Sequence, residues 1–223
     1  MGGGLVRGAR AACAVVALSL LLLSSCASKP EVLDLAHNER LYQPPRYHAR
    51  LPADRPALLL PVDDQRHKQP ADASAPHWPR RPMPEELWAR PIPEMVDDLL
   101  RRSLADSGVV AQLDTRVPPA AEVIVVQPVL LDARGYLEEQ AAGRCTLSSF
   151  TLKLVVSSPA AADGTRATIF EQTYEQSAGS QVTRSPTPIP ELLGRCVRDA
   201  IARVLADLDR NNVGRSGLPS TAK

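Results

Sequence analysis

Few residues in this chain have the type and spacing to do chemistry, and the most informative is a cysteine. Cys26 follows Leu23, Ser24 and Ser25 at the end of an apolar run that begins at Ala11. A cysteine in that place has three uses: a core residue, half of a disulfide, or a handle by which the chain is moored. The other candidates reach less far. His37, His48, His67 and His77 all precede the first helical pattern, and no two sit at helical or close hairpin spacing, so no metal site is expected. Asp63-Asp64 closes an apolar run in the manner of a paired-carboxylate site, but with Arg66 beside it the pair reads as a solvated turn. Glu138-Glu139 reads as exposed hairpin residues. No Gly-x-Ser-x-Gly, His-Glu-x-x-His or phosphate-binding glycine loop follows residue 26. No catalytic residue is assigned, and an enzyme is not expected.

Residues 1–25 have the three parts of an export signal: Arg7 and Arg10, an apolar stretch from Ala11 to Leu23, then small residues. The stretch is shorter than the roughly 18 residues a permanent membrane helix needs. Leu23-Ser24-Ser25-Cys26 resembles the lipobox of bacterial lipoproteins, which is a leucine, two small residues and an obligatory cysteine. The resemblance implies cleavage after Ser25, a diacylglycerol on the Cys26 thiol and an acyl chain such as palmitate on its amine. Each buried methylene contributes about 0.8 kcal/mol, so several chains hold stably where one is marginal. Ala27 occupies the position that often carries aspartate when such proteins of enterobacteria stay in the inner membrane. An outer-membrane anchor facing the periplasm is therefore implied. Cys13 leaves with the signal and Cys26 takes the lipid, so Cys145 and Cys196 remain. An even pair in an oxidising compartment invites a disulfide, against which stand two separately buried thiols.

The exported remainder is near neutral, with 24 basic and 25 acidic residues once Arg7 and Arg10 are gone, which makes no case for a nucleic-acid partner. Its 21 prolines, set against two tryptophans, four tyrosines and two phenylalanines, require irregular segments around an aliphatic core. Residues 26–56 read as a lipidated flexible tether, 57–210 as one periplasmic domain and 211–223 as a disordered tail. Within the domain, residues 57–62 form a continuous apolar run typical of a strand buried on both faces. Residues 65–91 hold six prolines together with Trp78 and Trp88, and loop aromatics are frequent binding anchors; covering the core is the other use of Trp88. A helix follows from Pro91 to Gly108, a short strand over 109–113, and three longer strands over 122–131, 144–158 and 167–177. The middle strand changes parity, which predicts a bulge near Ser148-Ser149 or a crossing between environments. A final amphipathic helix runs over 190–209 with Cys196 on its inner side. The order predicts an α+β fold: one twisted, mostly antiparallel sheet of about five strands with two helices on one face.

With the lipobox and element order together, the chain resembles the auxiliary lipoproteins of ABC-type lipid transporters of the mammalian-cell-entry kind. The residues that carry this are Leu23 to Cys26, the strand ALLLPV, the helix approach LWARPIPEMVDDLLRRSLADSG and the closing LLGRCVRDAIARVLADLD. Arg46-Tyr47 matches only in part the arginine-tyrosine-tyrosine strand typical of that family. The resemblance implies a lipid-anchored accessory that docks to or caps a periplasmic lipid conduit, with homo-oligomerisation among its options. Trp78, Trp88 and the strand edges are the expected docking surfaces. A second class with the same small fold comprises envelope-assembly lipoproteins, namely cell-wall synthase activators and the oligomerising curli-secretion type.

Overall fold

Pro61 interrupts the first apolar run, and the strand formed there is interrupted too. The computed structural model describes residues 43–66, 90–115, 117, 119–183 and 189–216, with side chains for all but 136–140. Its elements are β1 (Ala57–Leu59), β2 (Asp63–Asp64), α1 (Ile92–Ser107), β3 (Leu113–Asp114), β4 (Ile124–Gln140), β5 (Gly143–Ser157), β6 (Thr168–Gly179) and α2 (Ile189–Arg210). β1 and β2 lie end to end along β4, both parallel to it. Leu60 N–H donates to the Val126 carbonyl and Gln65 N–H to that of Leu130, each at 2.9 Å. Pro128 shares parity with those two acceptors, so its missing N–H is turned to the same gap that Pro61 leaves. Neither proline therefore strands a partner.

The sheet order is β3-β1-β4-β5-β6, with β2 also on β4. β1 pairs in parallel with β3 and β4, whereas β4–β5 and β5–β6 are antiparallel. The α+β class holds, and the sheet is mixed rather than mostly antiparallel. Cys145 and Thr146 are buried in succession, and from Thr146 onward alternation along β5 is unbroken, with Thr146, Ser148, Phe150, Leu152, Leu154 and Val156 all buried beneath the helices. The expected bulge at Ser148-Ser149 is thus absent. The register shift lies across the ladder, between Leu130 and Asp132. That one extra residue re-aims β4, so Ala133 is buried while Arg134 is exposed, and the strand runs on to Gln140.

α1 begins at Pro91, whose carbonyl accepts from Glu94 N–H at 3.0 Å, and ends at Gly108 in the left-handed region (φ 70°). Ile92, Met95, Val96, Leu99, Leu100 and Leu104 form its buried face. α2 buries Leu193, Val197, Ala200, Ile201, Val204, Leu205 and Leu208 over β5 and β6. Each such side chain contributes roughly 1.5–3 kcal/mol on leaving water. The start of α2 sits directly on strand backbone, since a Cβ at Gly135 would lie 2.0 Å from Ile189 Cγ2. Arg166 donates to the carbonyls of Ala120, Val123 and Ser158, stitching the start of β4 to the β5–β6 connection.

Two boundaries need correction. The domain does not begin at residue 57: Ala49 N–H donates to Ser107 O at 2.8 Å, and Asp54 and Arg55 N–H both donate to Gly214 O at 3.0 Å. Nor does it end at residue 210, because Val213 and Arg215 are buried. Residues 47–56 and 211–216 form no regular element, yet they bond to each other, through Asp54 and Arg55 N–H on Gly214 O and through the Arg215 guanidinium on Leu51 O. The short strand expected over 109–113 contracts to Leu113–Asp114, with Val109 and Val110 buried just before it.

Candidate functional site

The two corrected boundaries meet at one carboxylate. Asp209, in the last turn of α2, is 4% exposed and has acceptor capacity on both oxygens. Oδ2 accepts from the Tyr47 hydroxyl at 2.8 Å and from Arg50 N–H at 3.1 Å. Oδ1 accepts from Arg215 Nη2 at 2.5 Å. Arg215 reaches back because Asn212 takes a left-handed conformation (φ 53°) that reverses the chain after the helix. Its guanidinium also donates to Leu51 O and Asn212 Oδ1, each at 2.6 Å, and to Asp209 O at 3.2 Å. Gly214 follows Val213 where only glycine fits, since a Cβ there would lie 2.0 Å from Val109 O.

Burial alone pushes the Asp209 carboxyl up, but the Arg50 N–H, the Tyr47 hydroxyl and Arg215 together outweigh it and hold the group below the usual carboxylate range. Burial, and then the bond to Asp209, push the Tyr47 phenol up. The result is a clasp fixing the root of the amino-terminal segment to the end of the closing helix, across 162 residues of sequence. It sets where the chain enters the domain.

The other sequence candidates are dispersed. Arg66 binds Asp64 through Nε at 2.8 Å and Nη2 at 2.7 Å, while Gln65 Nε2 donates to Asp63 Oδ2 at 2.5 Å. The two carboxylates are thus engaged separately and do not form a shared acid–base site. Cys145 and Cys196 are both buried thiols and are not joined. The expected disulfide fails on parity: Ser148 lies under α2, its carbonyl accepting from Cys196 Sγ at 3.8 Å, while Cys145 is three residues away and so points to the other face of β5. Burial, and then Asp199, push the Cys196 thiol up to about 11, leaving it protonated and unreactive near neutrality. Among the described residues no cluster of three or more His, Cys, Asp or Glu side chains could hold a metal, and no helix is long and apolar enough to cross a membrane. Ser25, Cys26, Trp78 and Trp88 lie outside the described residues.

The described part also carries an open strand edge at β6. It is an outer edge of the sheet, 12 residues long, with Glu171, Thr173, Glu175 and Ser177 exposed on the face away from the helices. Lys153 on β5 pairs with Glu171 at 2.6 Å, leaving Glu175 to mark the edge as acidic.

No family model matches the chain, and no curated protein matches it. Among solved structures it is similar to a Xanthomonas campestris protein of the DUF330 family, at 16% identity and TM-score 0.46, over 74% of this chain and 89% of that one. A minor lipoprotein from Acinetobacter baumannii aligns at 13% identity and TM-score 0.41, over 78% of this chain and all of the other. A hypothetical protein from Chlamydia trachomatis aligns at 12% identity and TM-score 0.41, over 71% of this chain and all of the other. Likeness at this level decides neither family nor activity.

Proposed function

We propose that the chain is a lipid-anchored accessory of the bacterial envelope, acylated at Cys26 and held at the outer membrane facing the periplasm. Its domain is non-catalytic and docks to or caps the periplasmic conduit of an ABC-type lipid transport system. The observation that carries this reading is the motif Leu23-Ser24-Ser25-Cys26 behind a basic and apolar leader. The clasp supports it, because an anchored domain needs a firm junction with its tether, and Tyr47, Arg50 and Leu51 are bound to Asp209 and Arg215 there.

Polarity of the domain supports it too. Ser107 at the end of α1, Asp209 at the end of α2 and the start of β1 gather where the tether enters. β4 starts at that end and runs 17 residues away from it, roughly 55 Å at strand rise. The β4–β5 hairpin tip therefore faces away from the tether root, toward whatever lies deeper in the periplasm. The open β6 edge offers strand addition to a partner or a second copy. Isolation of the lipidated protein from membranes tests the assignment: co-purification of a permease, an ATPase and a membrane-anchored substrate-binding protein supports it. Co-purification of a cell-wall synthase in their place supports the envelope-assembly class.

A further inference from the structure

Residues 46–50 alternate exposed and half-buried, with Arg46, His48 and Arg50 outward and Tyr47 and Ala49 packed on the core. This is the period of an extended strand, and it lays two arginines and a histidine along one outer line. Leu51 follows, 54% exposed. Three acidic groups nearby are already engaged. Asp209 bonds Arg215 at 2.5 Å, Asp207 bonds Arg210 at 2.7 Å, and Asp54 accepts from Ser216 N–H at 2.8 Å. Asp106 stands one helical turn from Arg102 on α1. Arg50 does approach Asp209, but only to 4.0 Å and with its side chain 77% exposed, so one buried carboxylate faces two guanidinium groups and a positive charge is left over. Between residues 43 and 56 there are three arginines and one acid.

We infer that this stripe is a contact for the phosphate headgroups of an anionic phospholipid bilayer. The inference rests on the lipid anchor at Cys26, because the anchor decides what the stripe meets. The described chain begins at Gln43, three residues before Arg46. Arg46 lies 20 positions beyond Cys26, so the stripe stays within about 70 Å of the acylated cysteine even when the tether is fully extended. Tethering at such range raises the effective concentration of the surface enough for a contact of two arginines to matter. Two cations beside an exposed leucine match a headgroup layer, which is anionic outside and apolar beneath. Seated this way, the domain would stand with the clasp toward the membrane and the β4–β5 hairpin away from it.

The test uses the chain from residue 26 onward, exported without lipid and then joined at the Cys26 thiol to a single acyl chain, whose own hold on a vesicle is marginal and reversible. All contacts described for the core and clasp lie between residues 47 and 216, so this form keeps the whole domain. It is floated with vesicles of phosphatidylethanolamine and about 30% phosphatidylglycerol, and with neutral phosphatidylcholine vesicles. Binding is expected to the anionic vesicles and to fall as salt rises. Arg46→Gln and Arg50→Gln should each weaken it about fivefold, the pair about twenty-five-fold, while Arg198→Gln on α2 leaves it unchanged. The clasp keeps the Arg50 backbone N–H in both variants, and an unshifted melting curve verifies that the fold is intact. Equal flotation with neutral vesicles, no flotation with anionic ones, or full binding by the double variant overturns the inference. Mass spectrometry of Cys26 in the native protein separates the two readings. Acylation without vesicle binding removes the stripe and spares the anchor, whereas vesicle binding without acylation removes the anchor and spares the stripe.

Discussion

Replacing Arg215 with methionine isolates the clasp. The change removes four donated hydrogen bonds, to Asp209 Oδ1, Asp209 O, Asn212 Oδ1 and Leu51 O, and leaves a carboxylate that is 4% exposed with only the solvent-exposed Arg50 guanidinium, 4.0 Å away, as counter-charge. Breaking one side of a buried ion pair costs about 3–5 kcal/mol. Tyr47 and Arg50 N–H still donate to Asp209 in the variant, which places the cost at the lower end, about 3 kcal/mol. A domain of this size has of order 5–15 kcal/mol to lose, so the expected drop in melting temperature is roughly 6–12 °C. Urea unfolding supplies the free energy, and hydrogen exchange at the Asp54 and Arg55 amides reports whether the amino-terminal segment has come loose. The double variant Asp209→Leu/Arg215→Met removes both charges and should cost at least about 1 kcal/mol less than the sum of the single changes. A single-variant cost under about 1 kcal/mol, or strict additivity, would refute a clasp held by a buried pair.

Three further outcomes follow from the same geometry. The Asp209 carboxyl titrates below its unfolded value, so the stability it adds is present above about pH 4 and is lost as pH falls through the lower folded value; Asp209→Asn should flatten that acid limb in pH-dependent unfolding, and an unchanged limb contradicts the assignment. Gly135→Ala puts a methyl group against Ile189 and should destabilise the start of α2 by about 1–3 kcal/mol, read as a lowered urea midpoint; a neutral result contradicts the contact. Maleimide labelling without reductant should be slow at Cys196 in the native domain and should modify both Cys145 and Cys196 after denaturation, whereas two unreactive sites would restore the disulfide.

Where the order of a segment is local, it was legible in the residues. α1 could be read because Pro91, the apolar face and Gly108 all lie within one stretch, and Gly108 indeed closes it in a left-handed conformation. The three long strands were visible from β-branched alternation, but the apolar run of β4 ends at residue 131, short of the strand's true end at Gln140. The register shift near Leu131 turns Arg134 outward and lets the ladder continue, and a shift of that kind leaves no compositional mark. Strand direction was hidden for a similar reason: alternation says which face is buried and nothing about the partner, so the parallel neighbours of β1 went unseen. The clasp was missed entirely, since residues 47–56 and 211–216 take their order from each other and from Asp209 across more than 150 positions. Asn-Asn-Val-Gly after a helix is nonetheless a stop signal with an apolar contact, though nothing in the sequence marks Arg215 as the partner of a buried acid.

The most direct measurement is the chemical state of Cys26 in protein isolated from cells supplied with labelled palmitate, beside a Cys26→Ser variant. A lipid-anchored envelope component yields an amino-terminal Cys26 carrying diacylglycerol and an amide-linked acyl chain, with the variant unlabelled and left as an uncleaved precursor. An unlabelled wild-type protein, or a Cys26→Ser variant cut after Ser25 and released in soluble form, would contradict the anchor on which the proposed function stands.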